Sequence, residues 1–242
     1  MDSAGDPTPS VRQAPAPAPA AAARSAADDG GERATAGPVT SGRGGRRKAR
    51  TRQALLRAGQ QFLAEGRTAV SIQEVTEAAD VGFGTFYGHF QTKEELFEAA
   101  ALAAVDDFAA LLAGQVPGGG DPALTFITRF RLAGRLQRQH PLLVRVVLGL
   151  GPRVLTDQNG MLTDAATDIE AAQRAGRFDD VPVGLALTAV GGVLLGLLQL
   201  LDTDPQLEAS SVVDDFAERV LRMLGLPAVE AHALARTELF GL

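Results

Sequence analysis

The basic side chains of this chain are concentrated in one short stretch. Seven of them, with no acid between them, lie between residues 43 and 57: Arg43, Arg46, Arg47, Lys48, Arg50, Arg52 and Arg57. Cations at this density neutralise phosphates, so the stretch can lie along a nucleic-acid backbone or enter a minor groove. The alternative is a solubilising tail. We favour phosphate contact, through Arg46, Arg47 and Arg50, because of the motif that follows.

The distribution of charge supports this preference. The 242 residues carry a net charge of -6, which by itself argues against a polyanionic partner. Residues 43–100, however, have nine bases against seven acids, whereas residues 101–242 have eleven against seventeen. A local excess of positive charge in an acidic chain indicates that only this segment meets nucleic acid.

Other kinds of chemistry have little support. The sequence has no Cys, and its three His, at positions 89, 140 and 232, are far apart, so neither a thiolate site nor a His cluster for a metal is predicted. It also lacks a nucleophile elbow and a phosphate-cradling glycine loop. We therefore predict a protein that is not an enzyme and that needs no metal or cofactor.

Two short predicted helices and a tight turn follow the basic stretch. Ser71 and Glu74 have the spacing of a capping box, which predicts that a helix begins here. Residues 80–82 break the helical pattern, and Asp80 tolerates a left-handed turn better than most residues. A second helix is predicted after the turn, with Phe86 and Phe90 on its inner face. Its other face presents Phe83, Thr85, Tyr87 and His89. Together these elements are typical of a helix-turn-helix.

Helices are also predicted on both sides of this motif. The periodicity indicates one helix from Arg46 to Glu65, and a second capping box, Thr92 with Glu95, begins a long helix that ends near Ala113. The expected core of this three-helix unit is Leu55, Phe62, Ile72, Val75, Ala79, Val81, Phe86 and Phe90.

Residues 79–97, A-D-V-G-F-G-T-F-Y-G-H-F-Q-T-K-E-E-L-F, resemble the DNA-binding domain of the tetracycline-repressor (TetR) family of bacterial regulators. The resemblance implies that one set of side chains approaches the DNA backbone: Ser71, Thr85, Tyr87, His89 and Lys93. It also implies base contacts from Phe83 and Thr85, and the Phe83 ring suits a thymine methyl group. Gly84 lets the helix backbone come close, and Gly82 begins the same surface. The alternative for Phe83 is packing against Phe86.

A helix is predicted after the cap formed by Asp121 and Pro122. Its three arginines Arg131, Arg135 and Arg138 share one stripe. We interpret the stripe as a solvated face, and the alternative is an anion site for a carboxylated or phosphorylated ligand.

The longest uncharged stretch, residues 181–201, is long enough to span a bilayer. Acids at both ends, with no flanking Lys or Arg and no belt of Trp or Tyr, argue against a membrane span. We interpret it as a buried helix. Together with an amphipathic helix over residues 211–224, it would pair with the same two helices of a second subunit in a four-helix dimer interface. The expected interface residues are Gly184, Gly192, Gly196, Leu200, Val213, Phe216 and Val220.

The family resemblance completes the prediction. It implies an all-α fold in which residues 45–92 form the DNA-binding domain and residues 93–242 form a helical ligand-binding and dimerisation domain. Residues 1–44, which are rich in Ala, Pro, Gly and Ser and have no apolar periodicity, are predicted from their composition to be a disordered tail. The side chains expected to line the ligand cavity, which are also good core residues, are Phe108, Phe126, Phe130, Met161 and Leu162.

We therefore expect a cytoplasmic, nucleoid-associated regulator. As a homodimer, it would repress transcription from a palindromic operator in double-stranded DNA, and a largely apolar small molecule would release it. The alternative is an architectural DNA-binding protein whose second module only dimerises. Broad coverage of DNA that is indifferent to small molecules would distinguish that alternative.

Overall fold

The structure, a computed structural model, describes residues 41–113, 120–156 and 160–239. Residues 1–40 of the predicted tail, 1–44, lie outside the described residues, and residues 41–44 belong to the first helix instead of a disordered tail. The described chain is helical and contains no strand, which confirms the all-α prediction. Its α-helices are α1 (Ser41–Ala64), α2 (Ile72–Ala78), α3 (Phe83–Phe86), α4 (Lys93–Ala113), α5 (Pro122–Gln139), α6 (Pro141–Leu150), α7 (Gly160–Arg174), α8 (Val183–Thr203), α9 (Ala209–Met223) and α10 (Ala228–Ala235), with a short 3-10 helix (Gly151–Leu155) after α6.

Helices α1, α2 and α3 and the start of α4 enclose one apolar cluster, which we call the head. Six of the eight side chains predicted for this core are buried there: Leu55, Phe62, Val75, Ala79, Phe86 and Phe90. The other two, Ile72 and Val81, pack half-buried at its edge. The apolar spacing of the sequence therefore predicted the head core correctly.

Helix α4 leaves the head and continues into the rest of the molecule. Leu96 and Phe97, in its first turns, belong to the head cluster, whereas Phe108 and Leu112 lie in a second cluster with side chains of α5, α6 and α8. Its predicted bounds are those observed. A single helix is thus shared by two hydrophobic cores.

Helix α5 is the central element of the second half. It contacts α4, α6, α7, α8, α9 and α10, and most of its residues are buried. Gly134 is required where α8 and α9 cross it, because a Cβ at this position would come within 2.8 Å of a Val213 methyl group.

The arginine stripe of α5 is a solvated face only at its C-terminal end, where Arg138 is exposed. Arg131 is 2% exposed, and its Nε donates to Asp214 at 2.8 Å while its Nη1 donates to the Thr237 carbonyl at 2.6 Å. Arg135 donates to the same Asp214 carboxylate. Arg138 donates to the carbonyl oxygens of Leu201, Asp204 and Leu207. The stripe is therefore not uniformly solvated: Arg131 is buried, Arg135 half-buried and Arg138 exposed, and all three guanidinium groups donate to acceptors of the fold.

Several helix bounds differ from those predicted. Helix α1 begins at Ser41 rather than Arg46, so the basic run lies on a helix. Helix α3 is a single turn that ends at Phe86, so His89 follows the recognition helix in a turn instead of lying on it. At the start of α4, the Thr92 hydroxyl accepts from Glu95 N–H, but the Glu95 carboxylate accepts from Gln91 N–H, so only half of the predicted box forms.

Because Arg131 is buried against Asp214, substitutions of the adjacent acids Asp214 and Asp215 should differ greatly in their effect on the free energy of unfolding. Asp214→Ala leaves the Arg131 guanidinium buried with its main carboxylate partner removed, so we expect the free energy of unfolding to fall by about 3–5 kcal/mol. Asp215→Ala removes only an exposed contact with Arg236 and should cost less than about 1 kcal/mol. Urea denaturation of both variants measures the difference, and equal losses would show that Arg131 does not depend on Asp214.

Candidate nucleic-acid interface and interior cavities

The support helix α2 begins at the predicted capping box. The Ser71 hydroxyl accepts from Glu74 N–H at 3.2 Å, and the Glu74 carboxylate accepts from Ser71 N–H at 2.8 Å. Hydrogen bonds from the Ser71 backbone and hydroxyl hold the pKa of Glu74 below its ordinary value. Ser71 is exposed at this helix start, where the orphan N–H groups and the positive helix end favour an anion.

The turn between α2 and α3 depends on one residue in the left-handed region. Asp80 has φ 53°, and it is the only non-glycine residue with a positive φ among those described. Val81 N–H then donates to the Thr76 carbonyl at 3.0 Å, which closes the turn. The turn therefore forms at the Asp80 position that the sequence predicted for it.

Helix α3 buries one aromatic ring and exposes two. Phe86 is fully buried in the head, whereas Phe83 and Tyr87 are 54% and 53% exposed. Their two rings meet edge to face, with centroids 5.8 Å apart. Phe83 is thus paired with Tyr87 at the surface, and about half of its area is open to solvent. Thr85, Gly82 and Gly84 are exposed beside these rings, and no atom lies within 4 Å of a Cβ placed on Gly84.

Behind α3 the head is positively charged. The Arg52 guanidinium of α1 lies over the Phe90 ring, 5.2 Å from its centroid. Burial, together with the nearby charges of Lys48 and Arg52, lowers the pKa of His89 below its ordinary value. The His89 Nδ1 atom is buried with no hydrogen-bond partner among the described residues. Lys48 and Arg52, in the basic run of α1, therefore lie near His89, in the turn that follows α3.

Other predicted DNA-contact residues lie at the same end of the head. Arg46, Arg47 and Arg50 are exposed on the first turns of α1. Lys93 is half-buried, and its Nζ donates to the Val70 carbonyl at 2.9 Å, which ties the start of α4 to the chain just before α2. One Lys93 N–H is therefore occupied within the head itself.

Two adjoining apolar cavities lie inside the second half, between α4 and α8. The volume of one is about 70 Å³ and that of the other about 60 Å³, and four residues line both: Met161, Ala165, Val190 and Leu194. All five side chains predicted for a ligand cavity line one or both of them: Phe108, Met161 and Leu162 the first, and Phe126, Phe130 and Met161 the second.

Several residues that line the cavities were not predicted from the sequence. Among the described residues that line the cavities, Arg129 of α5 is the one with a charged side chain, and Val147 and Leu155 bring α6 and the 3-10 helix to the same space. Helix α8 also contributes a wall, with Leu187 and Leu198. The spacing of Asp164 and Asp168 on α7, one turn apart, is the signal that would have indicated a basic partner on a facing helix.

The residues predicted for a dimer interface divide into two groups. Gly184, Gly192, Gly196 and Leu200 are exposed on one face of α8. Val213 and Val220 are at most 1% exposed, packed into the core of their own chain, so their prediction as interface residues is wrong. They lie on the side of α9 that faces α5, because α9 turns its Val213 side toward Gly134. Phe216 is half-buried against the same core.

The exposed face of α8 also bears on the membrane question. Helix α8 is long and apolar enough, by length and composition, to cross a bilayer. In the fold, however, it packs against α5, α6, α7, α9 and the 3-10 helix. It is therefore a helix packed on one side within a helical domain, with its other face exposed.

Comparison with known proteins assigns both halves of the described chain. A model for bacterial regulatory proteins of the tetR family matches residues 55–100, and a model for the tetracyclin repressor-like C-terminal domain matches residues 121–237. Comparison with curated proteins gives no match.

Solved structures show the same fold along most of the chain. The crystal structure of RolR in complex with resorcinol is 29% identical and covers 81% of this chain and 98% of that chain, with a TM-score of 0.55. A TetR family transcription regulator from Marinobacter aquaeolei VT8 is 18% identical, with coverages of 77% and 97% and a TM-score of 0.61. The fatty acid degradation regulator FadR from Bacillus halodurans is also 18% identical, with coverages of 73% and 96% and a TM-score of 0.59.

At 18% identity the last two structures show a shared fold alone. The two family models, however, match residues 55–100, which carry the head, and residues 121–237, which carry the second half of the molecule. The chain belongs to the TetR family of bacterial transcriptional regulators.

Proposed function

We propose that the protein is a ligand-responsive repressor that binds a palindromic operator as a homodimer and is released by a small, largely apolar effector. The observation that carries this proposal is the single turn of α3, which is anchored by the fully buried Phe86 and presents Phe83, Thr85 and Tyr87 to solvent. Exposed aromatic rings cost free energy in water, so their fixed presentation beside a basic surface favours a nucleic-acid partner. We place this regulator in the cytoplasm, on the nucleoid.

In this proposal residues 45–92 form the DNA-binding domain. The Phe83 ring and the Thr85 side chain face the base edges in the major groove, and the bare backbone at Gly82 and Gly84 allows close approach. The groups that contact phosphates are Ser71, Tyr87, His89 and Lys93. Burial and then the nearby cations lower the pKa of His89, and phosphate anions beside it would offset the effect of the cations.

The start of α1 is a further DNA contact. The family model begins at Leu55, and α1 extends fourteen residues before it, to Ser41. Fourteen helical residues span about 21 Å, which reaches beyond the footprint of one recognition helix. Because Lys48 and Arg52 lie near His89, this extension continues from the DNA side of the head. We assign Arg46, Arg47 and Arg50 to flanking phosphates.

Dimerisation uses the exposed face of α8. Leu185 is 63% exposed and Leu200 is 41% exposed, and Gly192 and Gly196 lie between them with open space above each glycine. A helix of a second copy can approach the two glycines closely and cover both leucines, and the half-buried Phe216 of α9 flanks the same packing. Two heads related by a two-fold axis then meet two half-sites of a palindrome.

The effector site is the pair of apolar cavities within residues 93–242. Phe108 on α4 lines a cavity, and Phe97, three turns earlier on the same helix, lies in the head core. An effector that displaces Phe108 therefore acts on α4 directly, and α6, which also lines the cavity through Val147, packs on both α1 and α4. A ligand that prefers the DNA-incompetent arrangement must weaken DNA binding by the same factor. RolR, the 29% identical relative, was crystallised with resorcinol, which supports a small ligand here.

The cavities also favour the regulator over an architectural protein. A module that only dimerises needs no internal space, and native cores contain few voids larger than a water molecule. Two adjoining cavities on the helix that enters the head fit a protein that responds to a small molecule.

The first test uses the full chain and its own upstream DNA. We expect a footprint over one palindrome that a member of a metabolite panel removes. Phe83→Ala should lose about 1 kcal/mol or more of discrimination at one base pair of each half-site, since a methyl contact is lost. Leu102→Ala, which trims an equally exposed side chain of α4, is the matched control. Uniform coverage of unrelated DNA by the wild-type protein, insensitive to every metabolite, would support the architectural alternative.

The second test concerns the α1 extension. The double variant Arg46→Gln/Arg50→Gln removes four phosphate contacts per dimer, so the slope of log K against log salt should flatten by about 3.6. The control Arg153→Gln/Arg174→Gln makes the same change in charge at exposed positions of the second half. Fluorescence anisotropy over a salt series measures both slopes. If the slope flattens by the same amount in both double variants, the α1 extension makes no specific phosphate contact.

The third test concerns the dimer. Gly192→Gln adds a side chain into open space in the monomer and removes a helix-weakening glycine, so the fold should persist. In the dimer the same side chain separates the paired helices, and sedimentation velocity should show monomers. Gly149→Gln makes the same change at an exposed, equally open glycine of α6 and should remain dimeric. A dimeric Gly192→Gln protein at micromolar concentration would exclude this face.

A further inference from the structure

The first of the two cavities, of about 70 Å³, is lined by apolar residues of five helices. Its described lining residues come from α4, α6, α7, α8 and the 3-10 helix, and all of them are Phe, Val, Leu, Met, Ala or Gly. Resting on the proposed function, we propose that the effector is a compact hydrocarbon without a hydrogen-bonding group, about as large as benzene or toluene, and that it binds in this cavity. Such a wall offers contacts to carbon and no charged or hydroxyl side chain to a polar atom.

The second cavity has one charged residue among its described lining residues, and that residue is paired with acids of α7. Arg129 donates from Nε to Asp168 at 2.8 Å and from Nη1 to Asp164 at 3.3 Å. Neither acid lines either cavity, and Arg129 does not line the first one. The guanidinium is therefore held toward α7, and the first cavity is the site at which a ligand meets apolar side chains only.

The composition of this wall disfavours polar ligands. A hydroxyl group that leaves water for the cavity loses its hydrogen bonds and finds no side-chain partner, so its burial opposes binding. A carboxylate loses more, because it also carries a charge. Water itself needs about two to four polar partners to occupy a cavity, so it competes poorly for this space. A hydrocarbon loses no hydrogen bond on entering, and it gains dispersion contacts with the wall.

The volume favours a ligand with one ring. The first cavity, of about 70 Å³, and the adjoining one, of about 60 Å³, are well below the roughly 300–1,000 Å³ of sites for drug-sized molecules. They are closer in size to an engineered apolar cavity of about 150 Å³, in another protein, that binds benzene. Because four residues line both cavities, a ligand in the first can extend a methyl group toward the second. A long acyl chain does not fit without a rearrangement of the core.

A close contact between the 3-10 helix and α8 keeps the first cavity small. A Cβ placed on Gly191 would lie 2.5 Å from a methyl group of Leu155, and both residues line the cavity. The bare backbone at Gly191 therefore lets Leu155 pack directly on α8. This contact limits the width of the space on the side of the 3-10 helix.

The experiment measures the binding of four probes, benzene, toluene, phenol and resorcinol, to the full chain by calorimetry. Toluene and phenol have nearly the same shape, because a methyl group in one replaces a hydroxyl group in the other. We expect benzene and toluene to bind, phenol to bind at least about tenfold more weakly than toluene, and resorcinol to bind most weakly. Ala165→Leu fills the space and should abolish toluene binding, whereas Ala166→Leu, at a residue that lines neither cavity, should not.

A second variant tests the cause of the selectivity. Val190→Thr replaces one methyl group on the wall of both cavities with a hydroxyl group of nearly the same size. The ratio of toluene affinity to phenol affinity should fall about threefold or more, because the phenol hydroxyl gains a partner. Val183→Thr makes the same change on α8 at a residue that lines neither cavity, and its ratio should equal that of the wild type. Thermal unfolding establishes that each variant is folded.

Four results would overturn the inference: phenol or resorcinol binding as tightly as toluene, no binding of any probe, unchanged toluene affinity in a folded Ala165→Leu protein, or an unchanged affinity ratio in Val190→Thr. Operator binding measured in parallel separates the two proposals. If toluene leaves the operator complex intact and another metabolite releases it, only the ligand assignment is lost. A protein that recognises no operator contradicts the proposed function.

Discussion

The close packing of α1 on α4 is the constraint on which the rest of the structure depends. A Cβ at Gly59 would lie 3.0 Å from the Ala100 Cβ, and Gln60 Nε2 donates to the Ala100 carbonyl at 3.4 Å. Because α1 and α4 are in direct contact here, a displacement of α4 must carry α1 with it. Phe108 lies eleven residues beyond Phe97 on α4, or about 16 Å along its axis. In the proposed function, a displacement at the cavity would be transmitted to the proposed DNA-contact surface through α4.

The second half supplies a frame against which α4 can move. Helix α5 is held by the Arg131 and Arg135 contacts to Asp214 and by the Arg138 contacts to backbone carbonyls, which together join α5 to α8, α9 and the chain end. Such buried pairs are costly to break from one side, so this part resists rearrangement. The cavities lie between this frame and α4, and in the proposed function a ligand there shifts α4 only as far as its affinities for the two arrangements differ.

Local rules predicted the head better than the second half. Ser71 and Glu74, the turn at Asp80 and the burial of Phe86 each depend on neighbours within a few residues, and all three were predictable. Val213, Val220 and the arginine stripe were not, because helical periodicity gives the face of a helix but not the helix that covers it. Arg131 looked like a solvated residue until Asp214, 83 positions later, was placed beside it. The all-α class followed from periodicity, and the ion pairs of Arg129 with Asp164 and Asp168 required the tertiary structure.

The central claim, that filled space beside α4 disfavours the DNA-binding arrangement, can be tested without an identified ligand. Ala165 lines both cavities, so Ala165→Leu places three extra carbon atoms where an effector would lie. Ala166→Leu makes the same change at the next residue of α7, which lines neither cavity. The affinity of each folded variant for the upstream operator is the decisive measurement. The account predicts that Ala165→Leu weakens operator binding about tenfold while Ala166→Leu does not, and wild-type affinity in a folded Ala165→Leu protein would contradict it.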